Sequence, residues 1–138
     1  MVCKLLLDSE VLWAGARGGE RVKTLVNCIV GLRGKGCSVY WSPANRYDLE
    51  LEGSREALQV IEWALRTLGQ PTGPRVSELK ARLGRYHRWK ERIGEADVMI
   101  VLTARDGGAI LVTGDPGQAR FYEDLTGRKP LFIPLKQL

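Results

Sequence analysis

Ala109-Ile110-Leu111-Val112-Thr113-Gly114-Asp115-Pro116-Gly117 is the stretch on which the fold turns. Its first five residues are apolar or β-branched, and then glycine, aspartate and proline stop the run. A short apolar run closed by turn residues fits a strand buried on both faces, as in a parallel sheet. Asp115-Pro116 reads as a helix N-cap with proline at the first helical position. A helix through about Leu125 is expected to follow.

Outward from this stretch, strands and helices alternate. Upstream, Glu95 to Arg105 predicts a helix with Asp97 in its first turn, ended by Gly107-Gly108. Downstream, Leu131-Phe132-Ile133 reads as a last short strand. Near the start, Lys4-Leu5-Leu6-Leu7-Asp8 is a second apolar run closing on an acid. Glu20 to Arg33 has helical spacing, with Val22, Leu25, Val26, Ile29 and Val30 on one stripe and Gly34 to Gly36 at its end. Ser38-Val39-Tyr40-Trp41 has strand composition.

Ser42 to Gly53 carries two signals. Ser42-Pro43 opens a helix, whereas Tyr47 to Glu52 alternates like a strand; the helix is the favoured reading. Ser54 caps a further helix whose apolar face is Ala57, Leu58, Ile61, Ala64, Leu65 and Leu68. After a Gly- and Pro-containing loop, Val76 to Arg92 reads as one basic helix with Val76, Leu79, Leu83, Tyr86 and Ile93 inward. Alternating strands and helices predict an α/β fold, a mostly parallel sheet covered on both faces. At 138 residues, of which 44 % are hydrophobic, one domain spanning 1–138 is expected.

The bulk chemistry narrows the function. No apolar run approaches the roughly 20 residues needed to cross a bilayer, and no secretory signal opens the chain. A cytoplasmic protein without membrane contact is expected. Cys3, Cys28 and Cys37 match no zinc or redox spacing, and buried thiols are the expectation, with a Cys28–Cys37 bridge as the alternative. His87 is the single histidine, so metal or acid–base chemistry falls to carboxylates. The net charge of +5, from 21 basic and 16 acidic residues, is compatible with a polyanionic partner and with ordinary solubility.

Ligands of open parallel sheets bind beyond the carboxyl ends of the strands. Asp8 and Asp115 follow strands there, and Asp97 opens the helix feeding the second of them. Each has a plainer use: Asp115 as an N-cap, Asp97 as first-turn charge, Asp8 as a turn residue. Together they predict one acidic pocket. Converging carboxylates repel unless a cation sits among them, and an all-oxygen donor set points to Mg²⁺ or Mn²⁺. A basic surface around such a pocket is the pattern of a phosphodiesterase.

These residues resemble the PIN-domain nucleases. Leu5-Leu6-Leu7-Asp8-Ser9 resembles the family's first strand, with its acid and following small polar residue. Asp97-Val98-Met99-Ile100-Val101-Leu102-Thr103-Ala104, then Ile110 to Asp115, resembles its D-x-x-I-x-x-x-A helix and the strand ending in T-x-D. The likeness spans the two ends of the chain and is weak in the middle. It implies a three-layer α/β/α, Rossmann-like domain and a metal-dependent endoribonuclease acting on single-stranded RNA. The acids matching Asp8, Asp97 and Asp115 bind the metal in the family. The second family acid, usually a glutamate six residues after a serine that starts a helix, is matched by Asp48, counted from Ser42; if the stretch were a strand, Glu50 or Glu52 would take its place. Ser9 or Thr113 is expected to orient water or ligand. Arg46, Lys80, Arg82, Arg85 and Arg88 are the candidates for RNA backbone contacts. Many compact members are toxins silenced by a small antitoxin, and many are homodimers. Two other readings stand beside this one. One is a non-catalytic RNA- or protein-binding module on the same fold. The other is a phosphate-responsive α/β domain, disfavoured because neither Gly-rich phosphate loop is present.

Overall fold

A computed structural model describes residues 3–138. Four strands, β1 (Lys4–Leu7), β2 (Ser38–Tyr40), β3 (Ile110–Thr113) and β4 (Leu131–Phe132), form one sheet in the order β2-β1-β3-β4. All three pairings are parallel. The helices are α1 (Ser9–Arg17), α2 (Glu20–Val30), α3 (Pro43–Glu52), α4 (Arg55–Leu68), α5 (Val76–Lys80), α6 (His87–Ile93), α7 (Glu95–Asp106) and α8 (Pro116–Thr126).

Side chains alternate across a strand, so a sheet covered on both faces needs apolar residues at every position. Leu5 and Leu7 join one core with Val11, Leu12, Val26, Val60 and Ala64, from α1, α2 and α4. Leu6 faces the other core, with Leu79, Val98, Leu102 and Phe121 from α5, α7 and α8. Leu111 and Val112 of β3 divide between the two cores in the same way. The result is three layers, α/β/α. Burial of the two central strands on both faces explains why they read as unbroken apolar runs.

The two-signal stretch is the helix α3. Ser42 caps it, and Ser42 and Asn45 make a reciprocal capping box that spans Pro43 at the first helical position. The box outweighs the period-two alternation because it satisfies backbone donors that a helix start would leave bare.

Four expectations are corrected. The basic segment Val76 to Arg92 is not one helix but α5, a 3₁₀ turn over Leu83–Tyr86, and α6. Gly84 sits inside the break, where its missing side chain weakens helix propagation. The inward stripe holds: Leu79 and Leu83 are buried, and Val76, Tyr86 and Ile93 pack, partly buried, against the same core. The helix expected to run to Arg33 ends at Val30 and tightens into a 3₁₀ turn over Gly31–Lys35. Leu58 is exposed, and Val60 fills the core position in α4 instead. Finally, Cys3 and Cys37 are joined by a disulfide and Cys28 is an exposed free thiol. Lys4 pairs with Ser38 across β1 and β2, so the residues just before them, Cys3 and Cys37, stand side by side with Cα atoms 4.7 Å apart.

The sequence reading assigned no element to residues 9–17, which form α1. Its Gly15 allows α2 and α4 to approach: a methyl group there would fall 2.6 Å from Cη2 of Trp63 and 2.8 Å from Cγ1 of Val26. Gly15→Val is therefore expected to destabilise the protein by about 2 kcal/mol or more, read as a lower midpoint in thermal or urea unfolding. An unchanged midpoint would contradict this close packing. Among the described residues, no helix is long and apolar enough to cross a membrane.

Candidate functional site

The chain leaves β1 toward β2 on one side, then returns to β3 on the other side of β1. The carboxyl ends of β1 and β3 therefore flank the point where the strand order reverses, the usual ligand crevice of such sheets. A cavity of about 400 Å³ has Asp8, Ser9, Glu10, Trp13, Asp48, Leu49, Leu51, Glu52, Asp97 and Asp115 on its walls. Six of these residues are acids and none is a cation.

Local structure places the acids. Asp8 follows β1 and caps α1, its Oδ2 accepting from the Glu10 N–H at 3.4 Å. Asp115 follows β3 and caps α8, its Oδ1 accepting from the Gly117 N–H at 2.9 Å. Asp97 lies in the first turn of α7. Three helix N-termini thus point partial positive charge at one spot, which favours carboxylates there. Asp48 comes from the middle of α3. Glu52, four residues on, shares its helix face and the cavity wall.

Helix dipoles do not offset the crowding. Burial pushes the Asp8 carboxyl from 3.8 to about 7, against hydrogen bonds from the Ser9 backbone and Gln118 that pull it down. Burial and then the charges of Asp8, Asp115 and Asp48 push Asp97 to about 8. Asp48 is also raised by burial, with the Ser9 hydroxyl opposing. Asp8 is 2 % exposed, and its Oδ1 has no hydrogen-bond partner. A buried, unpaired carboxylate oxygen among other acids is costly. A hard divalent cation would satisfy it, and the all-oxygen donor set fits Mg²⁺ or Mn²⁺. As the side chains stand, no group of three His, Cys, Asp or Glu among the described residues is set to hold a metal ion.

Other expected residues divide sharply. Ser9 is on the cavity wall and accepts from Asn45 Nδ2 at 3.2 Å. Thr113 is fully buried behind the wall. Its hydroxyl donates to Gln118 Oε1 at 2.7 Å, stands 3.4 Å from Asp8 Oδ2 and accepts from the Asp115 N–H at 3.1 Å. It positions two acids rather than meeting a ligand. Glu50 is directed away and pairs with Arg46 at 3.7 Å, so of the two glutamates named as alternates only Glu52 reaches the cavity.

The basic candidates are dispersed. Lys80 lies 4.7 Å from the Tyr47 ring centroid and 3.7 Å from Glu95. Arg82 is tied to Asp106 at the far end of α7 from Asp97, at 2.7 Å. Arg85 and Arg88 line a second cavity with Tyr86, Trp89 and Phe121. His87 Nδ1 lies 3.5 Å from Glu91 Oε1 on exposed α6, and His87 is not among the residues of the acidic wall.

Sequence reading missed four residues. Glu10 and Trp13 join the wall because α1 begins at the cavity; the Asp8 N-cap followed by Glu10 was the available signal. Asn45 is buried and its amide donates to the Leu7 carbonyl at 3.0 Å, locking α3 to the end of β1. Gln118 links Thr113 to the Asp97 carbonyl. Nothing local to either amide marks those long-range partners.

Two solved structures share this fold. A domain of a functionally unknown protein from Methanocaldococcus jannaschii DSM 2661 matches with a TM-score of 0.62 and 23% identity, over 96% of this chain and 91% of that one. FitAcB from Neisseria gonorrhoeae matches with a TM-score of 0.54 and 23% identity, over 94% of this chain and 97% of that one. Likeness at this identity establishes the fold alone, a three-layer α/β/α architecture. No protein-family model and no curated protein matches the sequence.

Proposed function

We propose that the protein is a metal-dependent endoribonuclease that hydrolyses phosphodiester bonds of single-stranded RNA. One observation carries this reading: among the described residues, six acids and no cation line a cavity at the sheet's switch point. Two of those acids resist ionisation while no positive charge is present. Such a site stores repulsion that a bound cation relieves at a pH where the acids are ionised.

In this reading Asp8, Asp97 and Asp115 hold Mg²⁺ or Mn²⁺, and Asp48 assists from α3. Bound there, the ion supplies a Lewis acid that makes water more acidic and neutralises charge gathering on the phosphate. Ser9 orients water or a phosphate oxygen. Thr113 and Gln118 hold Asp8 and Asp115 in place from behind. Cytoplasmic RNA is the proposed substrate. In that compartment Cys3 and Cys37 would stand reduced, still side by side through the register of β1 and β2. The resemblance to compact PIN toxins makes a small antitoxin and a second copy of this chain the proposed protein partners.

The test is incubation with single-stranded RNA and Mn²⁺ or Mg²⁺, with and without EDTA. Cleavage that appears with the metal and stops with EDTA is expected. That no group of three His, Cys, Asp or Glu among the described residues is set to hold a metal ion favours a second reading, a non-catalytic RNA-binding module. Affinity for RNA that ignores EDTA, with no product after long incubation, would select it.

A further inference from the structure

We propose that Trp13 is the platform on which a nucleobase stacks beside the acidic cavity, with Arg17 and Lys136 holding the neighbouring phosphates. The inference rests on the nuclease reading and specifies how its substrate is seated.

A third cavity, of about 430 Å³, adjoins the acidic one and shares Glu10 and Trp13 with it. Trp13 is half-buried and stands at the boundary, open to both spaces. Beyond it the walls turn apolar at Val22 and Leu135, and Arg17 and Lys136 bring positive charge. The acidic cavity has no cation among its described wall residues, so a polyanion seated there needs one nearby. Both cations are exposed, and neither takes part in an ion pair among the described residues. Arg17 donates to the side-chain oxygen of Gln59; that acceptor is neutral and leaves the guanidinium charge uncompensated.

The chemistry of this groove matches a nucleotide. An indole offers a π-face to any base, and cations at its rim offer partners for phosphates. A single-stranded chain can splay one base onto an aromatic side chain while its backbone continues into the neighbouring site. The groove therefore orients the strand so that a phosphate next to the stacked base meets the carboxylates.

Titration of the full chain with a six-nucleotide single-stranded RNA, with Ca²⁺ as the cation, tests this through tryptophan fluorescence. The parent protein is expected to show quenching that Trp13→Phe abolishes while keeping near-parent affinity. Trp13→Ala is expected to bind roughly ten- to a hundredfold more weakly. An abasic oligomer of equal length should bind the parent about as weakly and cause no quenching. Arg17→Gln and Lys136→Gln should each reduce the slope of log affinity against log salt by about 0.7. Circular dichroism of Trp13→Phe verifies the fold. Quenching that persists in Trp13→Phe, or equal affinity for abasic and base-bearing oligomers, would overturn the proposal. So would a groove that a protein segment fills while RNA leaves Trp13 unquenched. RNA cleaved at parent rates by both Trp13 variants sinks this inference alone; absence of both RNA cleavage and RNA binding sinks the nuclease reading with it.

Discussion

Asp8→Asn and Asp97→Asn proteins are expected to cleave RNA on the order of 10²–10³-fold more slowly than the parent in saturating Mn²⁺. The argument is electrostatic. With metal bound the acids are ionised, and each substitution removes one negative charge from a cavity with no cation among its described wall residues. The cation is then held less tightly, and what remains is less well placed to neutralise a phosphate. Asparagine caps helices as well as aspartate does, so at position 8 the bond from the Glu10 N–H survives. A loss of rate therefore cannot be ascribed to a lost helix start. The measurement is kcat/KM on a single-stranded RNA with metal in excess. Undiminished cleavage by both variants would remove these acids from the proposed mechanism.

The second large effect is on stability. Metal-free protein is expected to lose stability as pH rises from about 5 to 8.5, and to regain it when Mn²⁺ or Mg²⁺ is added. The Asp8 carboxyl ionises near 3.8 when unfolded and at about 7 when folded. Between those values the folded state binds the extra proton, so stability falls with each step up in pH. The stabilising effect of protonation is full below 3.8 and is lost by the time pH passes about 7. A shift of this size corresponds to roughly 4 kcal/mol, or on the order of 10 °C in Tm. Asp97, raised to about 8, extends the decline to higher pH. Asp8→Asn should flatten the profile and melt above the parent at pH 8 without metal. The same substitution thus lowers activity and raises metal-free stability, a combination that damage to the fold cannot produce. A Tm that stays level from pH 5 to 8.5 and ignores metal would refute the account.

Much of the architecture was legible because burial on both faces leaves a plain mark. Leu5-Leu6-Leu7 and Ile110-Leu111-Val112 are apolar at every position, which only a sheet covered twice requires. Asp8 and Asp115 were placed at the crevice by their position after those strands alone. Asp48 was reached by counting from Ser42, and the Ser42–Asn45 capping box is what makes that count valid. Other features were hidden for physical reasons. The nine residues of α1 contain Gly15, which lowers helix propensity, yet the gap it leaves is what Trp63 and Val26 pack against. The break at Gly84 divided a periodic apolar stripe without disturbing it, so the stripe predicted inward residues and missed the helix ends. The Cys3–Cys37 pair depends on the β1–β2 register, and register is a property of two segments that neither states alone. The scattered arginines failed as a group because charge in sequence does not reveal which partner claims it: Arg82 is held by Asp106 and Arg46 by Glu50.

Asp8 and Asp115 each begin a helix with the same side chain that lines the cavity. This double duty bears on how such a protein can change over generations. An aspartate codon becomes an asparagine codon by one transition, and asparagine serves equally well as a helix cap. The fold would accept that exchange without loss, and at Asp8 it would gain. Selection for stability therefore offers no resistance to silencing the site; only selection for the reaction itself retains the acids. A lineage released from that requirement can drift into a stable, charge-neutral binding protein of unchanged shape. In descendants of this chain, the residue at positions 8 and 115 would record whether the chemistry was still in use.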